Sequence, residues 1–171
     1  MKFVVRFASL VMVSVLLFGC GEDAEEKQFR QTLIDKALND EVSKAGAAFL
    51  QANELQDDVV TTKSGLQYKV LVEGKGPSPA VTDIVTVHYE GTRVDGHIFD
   101  SSYQRGEPSD FPLNRVIKGW TEGVRMMKKG SQWVLFVPPK LAYGATSPSD
   151  DIPANSTLIF KIELIDFKAA E

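Results

Sequence analysis

Trp120-Thr121-Glu122-Gly123-Val124-Arg125-Met126-Met127-Lys128-Lys129-Gly130 is the stretch that decides the fold. Trp120, Val124 and Met127 fall at i, i+4 and i+7, one face of a short helix, and two lysines with Gly130 read as its C-terminal stop. On both sides of it the hydrophobic period drops to two. Upstream, Leu66, Tyr68, Val70 and Val72 alternate with Gln67, Lys69 and Glu73 as a half-buried strand. Gly74, Gly76, Pro77 and Pro79 then break the chain, and Val85, Val87 and Tyr89 alternate with Thr86, His88 and Glu90 up to Gly91. Downstream, Gln132-Trp133-Val134-Leu135-Phe136-Val137 runs into Pro138-Pro139, and Leu158, Phe160, Ile162 and Leu164 alternate with Lys161 and Glu163. Antiparallel strands around one helix predict an α+β domain, the helix covering one face of a twisted sheet.

Ahead of that domain, no proline interrupts Phe29 to Leu55. Ile34, Leu38, Val42, Ala45 and Phe49 fall at i, i+4, i+8, i+11 and i+15, one apolar face, with Asp35, Lys36, Asp40, Glu41 and Lys44 on the other side. The spacing predicts an amphipathic helical extension over 29–60, preceding a domain over 61–171. Gly46 beside the stripe weakens a free helix by roughly 1 kcal/mol relative to Ala. A lone amphipathic helix must cover its stripe on the domain or on a second copy, which would make a homodimer, or else remain a marginal spacer.

Composition narrows the classes. With 43% hydrophobic and 25% charged residues, there is material for one core. The formal charge of -4 advertises no nucleic-acid surface. A single cysteine allows no intrachain disulfide and no cysteine-based zinc site, and two histidines are too few for a histidine metal centre, so no metal or other cofactor is expected. Residues 1–19 read as a leader: Lys2 and Arg6 precede twelve uncharged residues, shorter than the roughly 20 needed to span a bilayer. Leu16-Leu17-Phe18-Gly19-Cys20 resembles a lipobox, the bacterial motif that places a lipid on the cysteine. That reading makes Cys20 the lipidation site and 20–28 a charged tether. It implies a membrane anchor in the cell envelope, at the outer membrane facing the periplasm.

Six segments occur in one order: Val87-His88-Tyr89-Glu90-Gly91, Phe99-Asp100-Ser101-Ser102, Val116-Ile117-Lys118-Gly119-Trp120-Thr121-Glu122-Gly123, Pro138-Pro139, Leu141-Ala142-Tyr143-Gly144 and Ile152-Pro153-Ala154-Asn155-Ser156-Thr157-Leu158-Ile159-Phe160. In that order and spacing, residues 62–167 resemble an FKBP-type peptidyl-prolyl cis-trans isomerase domain. The join from Ala48-Phe49-Leu50 to Thr62-Lys63-Ser64-Gly65-Leu66-Gln67-Tyr68 is similar to the macrophage-infectivity-potentiator-like branch of bacterial lipoproteins.

The resemblance implies a pocket floored by Trp120 and walled by Tyr89, Phe99, Val116, Ile117, Tyr143 and Phe160. Asp100 and Arg105 also match pocket positions, and Ile152 lies on the flap above. It implies catalysis without covalent chemistry, with the Tyr143 hydroxyl and the Ile117 N–H orienting the substrate and Asp100 orienting Tyr89 or Arg105. Expected partners are proline-containing exported proteins and macrolide inhibitors. Ser109 stands where many members carry an aromatic residue, and the flap 145–151 is polar and acidic, so the resemblance carries isomerisation further than macrolide binding. The competing reading is a non-enzymatic chaperone or surface-binding lipoprotein that docks partners in the same pocket. His88, next to Tyr89 on a strand, should face away from it as a structural residue. His97 beside Gly96 and the Asp150-Asp151 pair read as exposed loop groups.

Overall fold

The computed structural model describes residues 24–38 and 40–169, with only the backbone of Ala24 and of residues 34–38. The leader and Cys20 lie outside the described residues. Two helices, α1 (Ala24–Leu38) and α2 (Glu41–Asn53), precede the sheet. Its strands are β1 (Val60–Thr61), β2 (Gln67–Val72), β3 (Ile84–Arg93), β4 (Ile98–Ser101), β5 (Ser109–Pro112), β6 (Gln132–Val137) and β7 (Leu158–Lys168). A one-turn helix α3 (Ser102–Arg105) follows β4, α4 (Lys118–Met126) precedes β6, and a 3-10 turn (Pro139–Leu141) follows it. The strand order is β1-β2-β6-β7-β3-β4, with β5 also on β3, and the pairings are antiparallel.

The alternation read from β3 and β7 is the one observed. Val85, Val87 and Tyr89 point inward, facing Leu158, Phe160, Ile162 and Leu164 across a ladder from Ile84–Lys168 to Arg93–Leu158. Val85, Val87, Val124, Met127, Leu135, Leu158, Ile162 and Leu164 are fully buried. Each such side chain contributes roughly 1.5–3 kcal/mol of transfer free energy. Trp120 and Val124 face α4 into the sheet, as their spacing predicts.

Three expectations need correction. The extension is two helices rather than one: the Asp40 side chain accepts a hydrogen bond from the Ser43 N–H at 2.6 Å and starts α2 afresh. Helix α4 ends at Met126 with Met127 as its cap, so Lys128 and Lys129 do not close it. Instead they reach Glu73 at 2.9 Å and Asp166 at 2.7 Å. Leu66 and Tyr68 pack on the core as the alternation predicts, but Val70 and Val72 are exposed, and Gln67 turns inward at 3% exposed. The cause is α2: the Gln67 amide accepts from Asn53 Nδ2 at 2.8 Å and donates to the Leu50 carbonyl at 2.9 Å.

Helix α2 therefore packs on the domain. Phe136 lies on the opposite sheet face from Leu135 and meets the Phe49 ring at 5.8 Å. Gly46 is buried against Thr157, whose Oγ1 would stand 2.5 Å from a Cβ at that position. The missing side chain is what lets the helix approach. Phe29 and Leu33 on α1 stay exposed. Among the described residues, no helix is long and apolar enough to cross a membrane.

Candidate active site

The inward residues of β3 and β7 and the face of α4 meet at one end of the core, where the rings gather. Trp120, 4% exposed, is crossed nearly at right angles by Tyr89 at 5.2 Å, Phe160 at 5.3 Å and Phe111 at 5.6 Å between centroids. Phe99 meets Phe160 edge to face at 5.6 Å. Such T-shaped pairs add about 0.5–1.5 kcal/mol each beyond the area they bury, so the floor is held from several sides. Above it opens a cavity of about 300 Å³ whose rim adds Asp100, Val116, Ile117 and Tyr143. The Trp120 Nε1 is buried without a hydrogen-bond partner in the protein.

One polar cluster sits on this apolar rim. The Tyr89 hydroxyl and the Arg105 guanidinium Nη1 both donate to the Asp100 carboxylate, one to each oxygen. Arg105 Nη2 also reaches the Tyr89 oxygen at 3.1 Å and the Ser109 Oγ at 3.1 Å. Burial pushes the Tyr89 phenol above its ordinary pKa, and its bond to Asp100 pushes it further the same way. The Tyr143 phenol is raised by burial first, then by the Asp100 charge. Asp100 thus orients both Tyr89 and Arg105.

Of the residues expected at the site, Tyr89, Phe99, Asp100, Val116, Ile117, Trp120, Tyr143 and Phe160 line this one cavity. Arg105 and Ile152 do not. Arg105 joins the rim through its bonds to Asp100 and Tyr89, and Ile152 is 7% exposed in the core. Two lining residues were not anticipated: Phe111 and Arg115. Phe111 shares a face of β5 with Ser109 two residues earlier, the one signal that could have revealed it. Position 109 carries a hydroxyl that Arg105 uses, and the ring comes from 111. His88 faces away as expected, stacked on Tyr103 at 4.7 Å with Nδ1 2.9 Å from the Ser102 Oγ. Among the described residues, no group of His, Cys, Asp and Glu could hold a metal ion.

Comparison with known proteins follows the same outline. Residues 76–165 match the family described as FKBP-type peptidyl-prolyl cis-trans isomerase. Residues 18–70 match the domain amino terminal to FKBP-type peptidyl-prolyl isomerase. The chain is 49% identical over 143 residues to the FKBP-type peptidyl-prolyl cis-trans isomerase FkpA of Aeromonas hydrophila, covering 84% of this chain and 53% of that protein. It is 52% identical over 121 residues to the peptidyl-prolyl cis-trans isomerase Mip of Coxiella burnetii, covering 71% of this chain and 53% of that protein. The chain thus spans about half the length of the curated relatives it matches. The crystal structure of FkpA from Escherichia coli superposes with a TM-score of 0.76 at 42% identity, covering 86% of this chain and 68% of that one. Family match, sequence identity and superposition agree: the chain belongs to the FKBP-type peptidyl-prolyl cis-trans isomerase family.

Proposed function

We propose that this chain catalyses cis-trans isomerisation of X–Pro bonds in exported proteins, at the cavity over Trp120. The observation that carries the proposal is the ring set itself: Tyr89, Phe99, Phe111, Trp120 and Phe160 around a space of about 300 Å³ open at one side. Rotation about a prolyl amide faces a barrier of about 18–20 kcal/mol because the C–N bond is partly double. Uncatalysed exchange takes tens to hundreds of seconds, and reaching milliseconds means lowering the barrier by roughly 6–7 kcal/mol. In the twisted transition state the amide loses its charge-separated resonance form. An apolar floor favours that less polar state over the planar amide, which water stabilises. The rings hold the pyrrolidine by its faces, the Tyr143 hydroxyl and the Ile117 N–H orient the carbonyl, and Asp100 fixes Tyr89 and Arg105 at the rim. No bond to substrate is made, and no cofactor enters the scheme.

Residues 61–171 form the isomerase unit in this proposal and 29–60 its helical extension. The relative from Legionella longbeachae, 49% identical over 125 residues, is named outer membrane protein MIP. That name and the lipobox-like Leu16-Leu17-Phe18-Gly19-Cys20 support an envelope location, with a lipid on Cys20 holding the chain at the outer membrane. The test is a protein whose refolding is limited by prolyl isomerisation. The chain at micromolar concentration should abolish the slow phase, and an unchanged slow phase would overturn the proposal. Radiolabelled palmitate tests the anchor: Cys20→Ser should lose the label.

A further inference from the structure

Between β6 and β7, the loop 144–151 runs from Tyr143, on the rim of the cavity, to the buried Ile152. Between those points every residue from Ala145 to Asp151 is exposed. Its near end is tied down at Gly144, whose N–H donates to the Pro139 carbonyl at 2.9 Å and whose carbonyl accepts from the Asn155 N–H at 2.7 Å. Further on, Ser147 Oγ lies 2.8 Å from the Ser149 and Ile152 carbonyls, and the Ile152 N–H donates to the Ser149 carbonyl at 3.2 Å. The Asp151 arm lies beyond the Gly144 bonds, and its position depends on what reaches it from outside the loop. Two groups, one at the end of β3 and one in the turn that follows it, reach that arm at Asp151. Arg93 Nη1 donates to the Asp151 carbonyl at 3.1 Å, and His97 Nε2 lies 3.1 Å from the Asp151 Oδ1.

Arg93 is itself built in. Its Nε donates to Asp95 Oδ1 at 3.1 Å and its Nη2 to Asp95 Oδ2 at 2.5 Å, a two-pronged pair, while the His97 N–H donates to Asp95 Oδ1 at 3.1 Å. The guanidinium holds Asp95 at a pKa of about 2, so the pair stays charged through the neutral range. The Arg93 side chain is only 25% exposed. It borders a groove of about 360 Å³ between the domain and Val42 and Ala45 of α2, over the buried Thr157.

We propose that Arg93 is a positioning residue for the isomerase site: by gripping the Asp151 carbonyl it holds the far arm of the loop 144–151, and so reinforces the Gly144 bonds that seat Tyr143 at the mouth of the cavity. Resting on the isomerase reading, the proposal adds a part that touches neither the rings nor the substrate. Fixing the loop before substrate arrives removes an ordering cost from binding, so the effect falls on KM more than on kcat.

The test compares Arg93→Ala and Arg93→Lys with the unaltered full chain, by amide hydrogen exchange over 144–152 and by steady-state isomerisation of a proline tetrapeptide. Arg93→Ala should speed exchange in the loop by about tenfold and raise KM by about three- to tenfold, with kcat within about twofold. Arg93→Lys, which keeps one donor but loses the fork, should recover part of both. Loop exchange unchanged in Arg93→Ala would overturn the proposal, as would faster loop exchange with KM unmoved. Should Arg93→Ala fail to fold, Asp95→Asn removes the fork's anchor and is read the same way. A chain with no isomerase activity overturns the isomerase reading alone. In that case the exchange data, with peptide affinity read from tryptophan fluorescence, still judge the role of Arg93.

Discussion

An ideal Cβ built on Gly91 would stand 2.6 Å from the Phe99 ring, on Cε2 and on Cζ alike, and 2.9 Å from Phe160 Cε1. The glycine in β3 is the space into which two rings of the site close. Gly91→Ala should therefore destabilise the fold by about 1–3 kcal/mol, the usual effect of overpacking a core. A lowered urea midpoint with unchanged slope checks this, and isomerase activity should fall with it, because relief comes through the displacement of Phe99.

Asp100→Asn keeps the shape of the rim and removes its charge. The Tyr89 phenol is held above its ordinary 10.0 by burial first and by Asp100 second. A group whose folded pKa is raised gives its full stability below the unfolded value and loses it as pH rises through the folded one. The variant should thus ionise Tyr89 at lower pH than the unaltered chain, seen in phenolate absorbance. Isomerase kcat/KM should drop by about tenfold as Arg105 and Tyr89 lose their common anchor.

Trp120 should report occupancy. A proline tetrapeptide seated over the indole should change tryptophan emission, and Trp133→Phe should retain that change. Trp133 stacks on Tyr68 at 4.6 Å, away from the cavity lining. Trp120→Ala should abolish activity and cost about 3–5 kcal/mol of stability.

Gly46→Ala sets two effects against each other. Helix propensity alone favours alanine by roughly 1 kcal/mol. Against this, Thr157 Oγ1 and Cβ would lie 2.5 and 3.0 Å from the new carbon, and a buried β-branched side chain has nowhere to move. The clash should win, loosening α2, with faster hydrogen exchange from Glu41 to Asn53 as the measurement.

The elements legible in the sequence were those whose own residues carry the pattern. Strands β3, β6 and β7 bury three or more side chains each, and helix α4 buries Trp120 and Val124 one turn apart, so period and burial coincide. Strands β1, β4 and β5 span two to four residues and bury almost nothing of their own. They are strands because β2 and β3 offer them hydrogen bonds, a tertiary cause with no local signature. The miss at Phe111 follows, since it sits in such a segment. The misreading of Gln67 has the same origin: its inward turn depends on α2, which approaches from 14 residues upstream. Arg105 joins the cavity rim through Asp100 and Tyr89 without lining the space, and Ile152 packs in the core.

The ladder between β3 and β7 joins Gly91 to Phe160. As the chain folds, therefore, the first half of the site waits for β7: Tyr89 and Phe99 lack the Phe160 wall, and α4 a complete sheet, until the segment from Leu158 onward is in place. A nascent chain stopped short of that strand holds its aromatic residues without a cleft. Competence arrives in one late step, when the closing strand zips between its two neighbours.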